Sequence, residues 1–217
     1  MLYVILNAAM SIDGKISSRS NDSSFSSKMD LVRVHKLRAS VDGIVIGIST
    51  VLEDNPMLNV RYFSTGTKNP ARIIIDSKAR IPLNSRIIRS SKKIQTIIAA
   101  THNASSKKIK ELEKVGAQVL FSGKGKVNIK NLFQVLERLD FKKILVEGGG
   151  EINWSVLKLG LADELIVTIS PVVIGGRDAK TLVEGEGMAN ITNGIKMKLS
   201  KTVIQNKNEI VLYYKLR

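Results

Sequence analysis

The chain has 217 residues, with 34 Lys and Arg against 19 Asp and Glu, a formal charge of +15 and no cysteine. That length suits one domain with a sizeable core, and a hydrophobic content of 43% excludes a disordered chain. Without cysteine there is no disulfide framework, no thiolate nucleophile and no Cys-ligated zinc or iron–sulfur centre, while the charge leaves a nucleic-acid partner to be weighed.

The N-terminus enters the apolar run at residues 2–6 directly, without a basic leader, a long apolar segment or a small-residue cleavage site. No apolar stretch approaches the roughly 20 residues that span a bilayer. The expectation is a cytoplasmic protein.

Apolar, β-branched runs at 2–6, 43–46, 72–75, 96–99, 118–121, 143–146, 165–169 and 172–174 predict strands. Most are continuous rather than alternating, as in a parallel sheet buried on both faces. Ser27 with Asp30 three positions on resembles a capping box; it opens a helix that turns Leu31, Val34 and Leu37 inward and runs to Arg38. Ser105 or Ser106 opens a second helix, with Ile109, Leu112 and Val115 inward and Gly116 as its stop. Asn128 caps a third, carrying Leu132, Val135, Leu136 and Leu139, and a fourth begins near Ile152. Residues 197–203 and 209–216 flank Asn206-Lys207-Asn208, a hairpin signal. The order predicts a single α/β domain over 1–217: a mixed, mainly parallel sheet flanked by helices, with a C-terminal antiparallel hairpin.

The strongest local motif is Glu147-Gly148-Gly149-Gly150, between a predicted strand and a helix. It is either a seat for phosphate, where glycine backbone and helix N–H groups meet an anion, or a flexible strand-to-helix turn. It is neither a Rossmann fingerprint, since Asn153 stands where the third glycine belongs, nor a P-loop. Glu147 would repel phosphate and suits hydrogen-bond donors of a substrate better.

A second motif runs from Gly43 through Gly47, Thr50 and Glu53 to Asp54-Asn55-Pro56. The end of such a strand is where open α/β sheets bind ligands, and Thr50 with Glu53 also fits a helix cap. Asp13-Gly14 marks a tight turn, as does Asn55-Pro56. His35 and His102 lack partners at metal or triad spacing; His35 is expected at a solvated or half-buried surface and His102 in a loop. Trp154 is expected to pack. Arg38 and Arg61 are candidate anion clamps.

Taken with Met10-Ser11-Ile12-Asp13-Gly14-Lys15, Leu37-Arg38-Ala39, Asn69-Pro70-Ala71-Arg72 and Pro171-Val172-Val173-Ile174-Gly175-Gly176, these motifs resemble the pyrimidine reductase family of riboflavin biosynthesis, above all its stand-alone archaeal and fungal type. The resemblance covers almost the whole chain. It implies a dihydrofolate-reductase-like fold, homodimers, and reduction of a phosphoribosylamino group to phosphoribitylamino by hydride from NADPH to C1′ of a ring-opened imine. NADH is the second possible donor, and no metal is implied.

Carried over position by position, the resemblance puts Ala9, Thr50 and Asp54 at the nicotinamide and ribose end of the cofactor. It puts Ser77, Lys78, Ala79 and Arg80 on the adenosine side, with Lys78 and Arg80 toward a 2′-phosphate. Gly125, Glu147, Gly148, Gly149 and Gly150 fall in the later cofactor segment. Asp22, Ser24, Arg38, Leu58, Arg61 and Glu147 fall on the substrate. Asn7 stands where bifunctional relatives carry a lysine, which leaves Asp54 as the candidate catalytic group. The lack of Cys removes the zinc deaminase partner domain, which favours the diamino pyrimidinone over the deaminated uracil as substrate. Dihydrofolate is disfavoured because its carboxylate motif is not evident. A basic nucleic-acid-binding protein would need aromatics or a recognition helix, and aromatics are only 5%.

Overall fold

A computed structural model describes residues 1–62, 69–205 and 208–216. In chain order the elements are β1 (Tyr3–Met10), α1 (Lys28–Ala39), β2 (Gly43–Gly47), α2 (Ile48–Asp54), β3 (Ala71–Ile75), α3 (Arg86–Arg89), β4 (Thr96–Ala100), α4 (Ser106–Lys114), β5 (Gln118–Phe121), α5 (Ile129–Arg138), β6 (Lys143–Val146), α6 (Gly150–Lys158), β7 (Glu164–Ile169), β8 (Lys198–Gln205) and β9 (Glu209–Lys215). Contacts divide them into two compact units, Met1–Leu2 with His35–Leu145, and Tyr3–Val34 with Val146–Arg217.

In the first unit the strands lie in the order β5-β4-β3-β2-β6, and β2/β3, β3/β4 and β4/β5 pair in parallel. Every residue of β2, β3 and β4 is buried, so the continuous apolar runs mark strands covered on both faces. Isoleucine fills this core: Ile44, Ile46, Ile73, Ile74, Ile97 and Ile98 are at most 1% exposed. β5 departs, with its ends exposed, and β6 only at half-buried Lys143.

The helices start where their caps predict. Ser105 accepts from the Lys108 N–H and Asn128 from the Asn131 N–H. Gly116 ends α4 at φ +98°, which a side chain would strain. Leu139 is a correction: it falls at the C-cap of α5, past the inward stripe, and is exposed.

In the second unit the order is β1-β7-β9-β8. β1 and β7 are parallel, while β7/β9 and β9/β8 are antiparallel, so the C-terminal hairpin forms as predicted. The Asn206-Lys207 part of its turn lies outside the described residues; Asn208 N donates to Gln205 O at 3.1 Å. The predicted strand at 172–174 is absent. Ser170 N closes the ladder on Met10 O at 2.8 Å, and the chain then turns away. Ile174 N and Gly175 N donate to the Asp13 carboxylate at 3.0 and 2.7 Å rather than to a neighbouring strand.

The capping box at the start of α1 is half formed. Asp30 N donates to Ser27 Oγ at 3.2 Å, but Asp30 does not answer; Ser27 N donates instead to Glu209 Oε1 at 3.0 Å. Asp30 is buried and accepts from Arg33 Nε at 2.7 Å and Thr168 Oγ1 at 2.8 Å. A tertiary partner has replaced the local one.

Candidate functional site

Within the first unit, β2 delivers the chain at Gly47 into α2. Gly47, not Thr50, is the N-cap, which corrects the capping reading. Thr50 instead stands one turn before Asp54, so both lie on one helix face. Asn55 closes the helix in the left-handed region at φ 42°, its N–H on Val51 O at 3.1 Å, while its Oδ1 accepts from Arg86 N at 2.8 Å. The exposed Asp54 carboxylate therefore sits on an immobilised helix end.

The next seven residues form a loop fixed at nearly every step. Arg72 Nη1 holds Met57 O at 3.3 Å, Arg38 Nη1 holds Asn59 O at 3.4 Å, and Val60 N donates to Asn69 Oδ1 at 2.9 Å. Arg61 N donates to His35 Nδ1 at 2.9 Å. Leu58, at φ 46° and 3% exposed, anchors the loop rather than offering its side chain.

The two candidate clamps are thus brought to one place, with Arg38 bonded two residues before Arg61. His35 is a correction: it is 1% exposed, and it packs edge-on to Tyr62 at 4.8 Å. Its value lies in its acceptor nitrogen, which sets the Arg61 backbone.

At the ends of β3 to β5 the unit assembles the other predicted cluster. Ser77 O accepts from Thr101 N and Oγ1 at 3.1 and 2.8 Å, and Ser77 Oγ accepts from Val127 N at 3.1 Å, which draws in the Gly125 loop. Lys78 and Arg80 are exposed. Ala79 is buried at φ 53°, so it shapes the turn and offers no side chain.

Within the second unit, Ala9 is half-buried on β1, and Asn7 shares its strand face. Asn7 is 7% exposed, with no partner for Oδ1. Asp22 accepts from Ser24 N at 2.9 Å, and the Ser24 hydroxyl and N–H hold its carboxyl below the ordinary range. Asp22 and Ser24 therefore form one exposed turn.

The glycines after Glu147 have three separate reasons. Gly148 sits at φ +92° and is joined to Gly149 by a cis peptide. Gly149, the N-cap of α6, has nothing within 4 Å of where a Cβ would stand, so its backbone is open to a ligand. Gly150 leaves room for the chain itself: a Cβ there would lie 2.7 Å from both Thr181 O and Glu184 Cγ. Gly150→Ala is expected to cost about 1–3 kcal/mol by overpacking, while Gly149→Ala leaves stability unchanged; urea unfolding of both variants checks this.

The segment against Gly150 is tied down by Asn153 Nδ2 on Leu182 O at 2.8 Å, and Gly185 lies against Trp154, the expected packing residue. Leu182 N donates in turn to Gly14 O at 3.1 Å, in the Asp13-Gly14 turn.

Asp13 accepts from Ser11 Oγ at 2.6 Å as well as from Ile174 and Gly175 N–H, and these bonds pull its carboxyl down to about 2. A carboxyl with a lowered folded pKa stabilises above its unfolded value and stops doing so as pH falls through the folded one. The latch should therefore hold at neutral pH and open between about pH 4 and pH 2. Thermal midpoints should show Asp13→Asn differing from the parent at pH 6, with the difference shrinking toward pH 2.

No group of three or more His, Cys, Asp or Glu among the described residues is placed to hold a metal ion, and no described helix is long and apolar enough to cross a membrane.

A mainly parallel sheet ending in an antiparallel hairpin, with an open glycine cap at a helix N-terminus, defines a dihydrofolate-reductase-like protein. The match to an Enterococcus faecalis dihydrofolate reductase structure bears out that fold: TM-score 0.53 at 14% identity, over 98% of this chain and 95% of that one. Residues 2–211 match the RibD C-terminal domain, and the chain belongs to that family.

Among its relatives is the 2,5-diamino-6-ribosylamino-4(3H)-pyrimidinone 5′-phosphate reductase of Methanothermobacter thermautotrophicus, 39% identical over 97% of both chains. Acinetobacter baumannii RibD superposes with a TM-score of 0.85 at 25% identity, over 99% of this chain and 58% of that one.

Proposed function

We propose that this chain reduces the ribosylamino side chain of 2,5-diamino-6-(5-phosphoribosylamino)pyrimidin-4(3H)-one to the ribitylamino form, with NADPH as hydride donor. The near full-length kinship with a stand-alone reductase carries this reading.

The residues present fit a nicotinamide dinucleotide. Gly149 offers open backbone at the N-terminus of α6, where N–H groups favour a pyrophosphate, and the turn after β3 presents Lys78 and Arg80 for a further phosphate. When bound, the cofactor supplies a hydride from its dihydronicotinamide ring.

The chain's own residues do the rest. Arg38, near the end of α1 and bonded to Asn59 O of the loop that carries Arg61, takes the substrate phosphate together with Arg61. Asp22 and Ser24 add polar contacts to the substrate. Glu147 accepts hydrogen bonds from substrate N–H or O–H groups, and Ala9 and Thr50 border the nicotinamide. Asp54 orients a water that delivers the proton. Hydride reaches C1′ of the ring-opened imine and the proton reaches its nitrogen, so C=N becomes CH–NH. The 217 residues act as one reductase domain, in a homodimer, in the cytoplasm.

The test is NADPH oxidation followed with the diamino and the deaminated pyrimidine side by side. Faster oxidation with the diamino substrate is expected. Preference for the uracil would reassign the substrate, and no oxidation with either would overturn the proposal.

A further inference from the structure

The net charge is carried almost entirely by the first unit. By sequence, residues 1–2 and 35–145 hold 21 Lys and Arg against 8 Asp and Glu, while the rest of the chain holds 13 against 11. An excess confined to one unit is a local field, not an even solubilising coat.

Part of that excess gathers where β4 and β5 begin. Arg89 ends α3, Lys92 and Lys93 lie in the turn before β4, and Lys114 ends α4 just ahead of β5. These two approaches are fastened together. Ser91 Oγ donates to Val115 O at 2.7 Å, Gln95 Nε2 donates to Gln118 Oε1 at 3.3 Å, and a Cβ on Gly116 would stand 2.9 Å from Lys92 Cγ. Lys107 and Lys110 carry the patch along α4, on the helix face they share with Lys114. With Ser106 and half-buried Glu111, those three lysines line a hollow of about 410 Å³.

All six cations are exposed. Among the described residues none of them is in an ion pair, not even with Glu111 or Glu113 of α4. The Ser77 turn and the Gly125 loop follow the far ends of β3 and β5, so Arg89, Lys92, Lys93 and Lys114 stand apart from Lys78 and Arg80.

The composition of the patch selects its partner. An interface with another protein is built around a desolvated apolar centre and is poor in lysine. Here lysine dominates, and the apolar residues Ile109 and Leu112 of α4 are buried in the chain's own core. A phosphate backbone needs no apolar centre, because affinity comes from the counterions that the cations release. Single strands are held by stacking on aromatic side chains, and none of the six residues is aromatic. A duplex presents its phosphates without requiring that contact.

We propose that Arg89, Lys92, Lys93, Lys107, Lys110 and Lys114 bind the phosphate backbone of duplex nucleic acid without reading its sequence. This binding is independent of the reductase reading and uses none of the residues assigned to cofactor or substrate.

The test is fluorescence anisotropy of a labelled DNA duplex of about 20 base pairs and arbitrary sequence, titrated with the chain over a range of salt. Six neutralised phosphates predict that the logarithm of the association constant falls by about 5 per unit of log salt. The variant Arg89→Gln, Lys92→Gln, Lys93→Gln, Lys114→Gln is expected to lose about 4 of that slope and at least about tenfold in affinity at low salt. Lys92→Arg, Lys93→Arg, Lys114→Arg should keep both. A control removing equal charge from the second unit, Lys28→Gln, Lys196→Gln, Lys198→Gln, Lys201→Gln, should keep the slope, and so should the parent saturated with NADP⁺. Thermal midpoints of all variants check that each is folded. No binding by the parent at low salt, or equal losses in the patch and control variants, would overturn the proposal. So would displacement of the duplex by NADP⁺, and polyglutamate of equal charge binding as tightly would assign the patch to an acidic protein instead.

Discussion

Arg72→Met is expected to destabilise the chain by about 3–5 kcal/mol. Arg72 is 0% exposed, and burial pushes its guanidinium down to about 10, so it remains charged at neutral pH. Among the described residues its hydrogen-bond partners are all neutral. Nη2 reaches Ile87 O and Ile94 O at 3.0 Å and Thr96 Oγ1 at 2.6 Å; Nη1 reaches Ser90 Oγ at 2.7 Å and Met57 O at 3.3 Å.

A buried ion pair can be replaced by apolar groups at little cost, because both partners leave together. Here three of the acceptors are backbone carbonyls that no substitution at position 72 removes. Ile94 O keeps the Thr96 hydroxyl at 2.9 Å and Ile87 O keeps Ser90 N at 3.3 Å. Met57 O is therefore the carbonyl left short, at about 1–3 kcal/mol, and the rest of the loss is that of the charge-assisted bonds to Ile87 O, Ile94 O, Thr96 and Ser90. Urea unfolding measures the loss. A change below about 1 kcal/mol would mean that water replaces the guanidinium. Because Arg72 also holds Met57 O, the loop bearing Arg61 should loosen, and the KM for the pyrimidine should rise in any variant that still folds.

Asp54→Asn is expected to lower kcat about a hundredfold while NADPH affinity stays within about twofold. The asparagine keeps the shape of the side chain and the helix end, but it cannot orient a water as a charged acceptor does. Steady-state turnover and NADPH titration together test this. Unchanged turnover would remove Asp54 from the chemistry, and weakened binding with unchanged kcat would make it a cofactor contact.

Much of the fold was legible because it is local. Seven of the eight apolar runs are strands, since continuous β-branched sequence has no stable place except between two covered faces. Ser105 and Asn128 cap the helices they were expected to cap, because that bond spans only three residues. The run at 172–174 misled for the same reason: apolar composition predicts a strand, but a ladder needs a neighbour, and here Asp13 takes the amides instead. α2 was visible as a motif, yet its cap was misplaced by three residues because Gly47 has no side chain to signal it.

By itself the sequence determined the α/β order, the caps of α4 and α5, the absence of cysteine chemistry and, through its motifs, the family. Tertiary structure decided which polar residues are interior. His35 looked like a surface residue of a basic helix and is buried because Arg61 N needs its acceptor. Arg72 opened an apolar run in the sequence, and in the fold it is buried and donates to three carbonyls. Gly150 stands in the segment expected to meet the cofactor, and only the fold shows that its missing side chain also makes room for Thr181 and Glu184. Hydrogen bonds between residues far apart in the chain leave no spacing to detect, so only the folded molecule shows which partner each polar group has found.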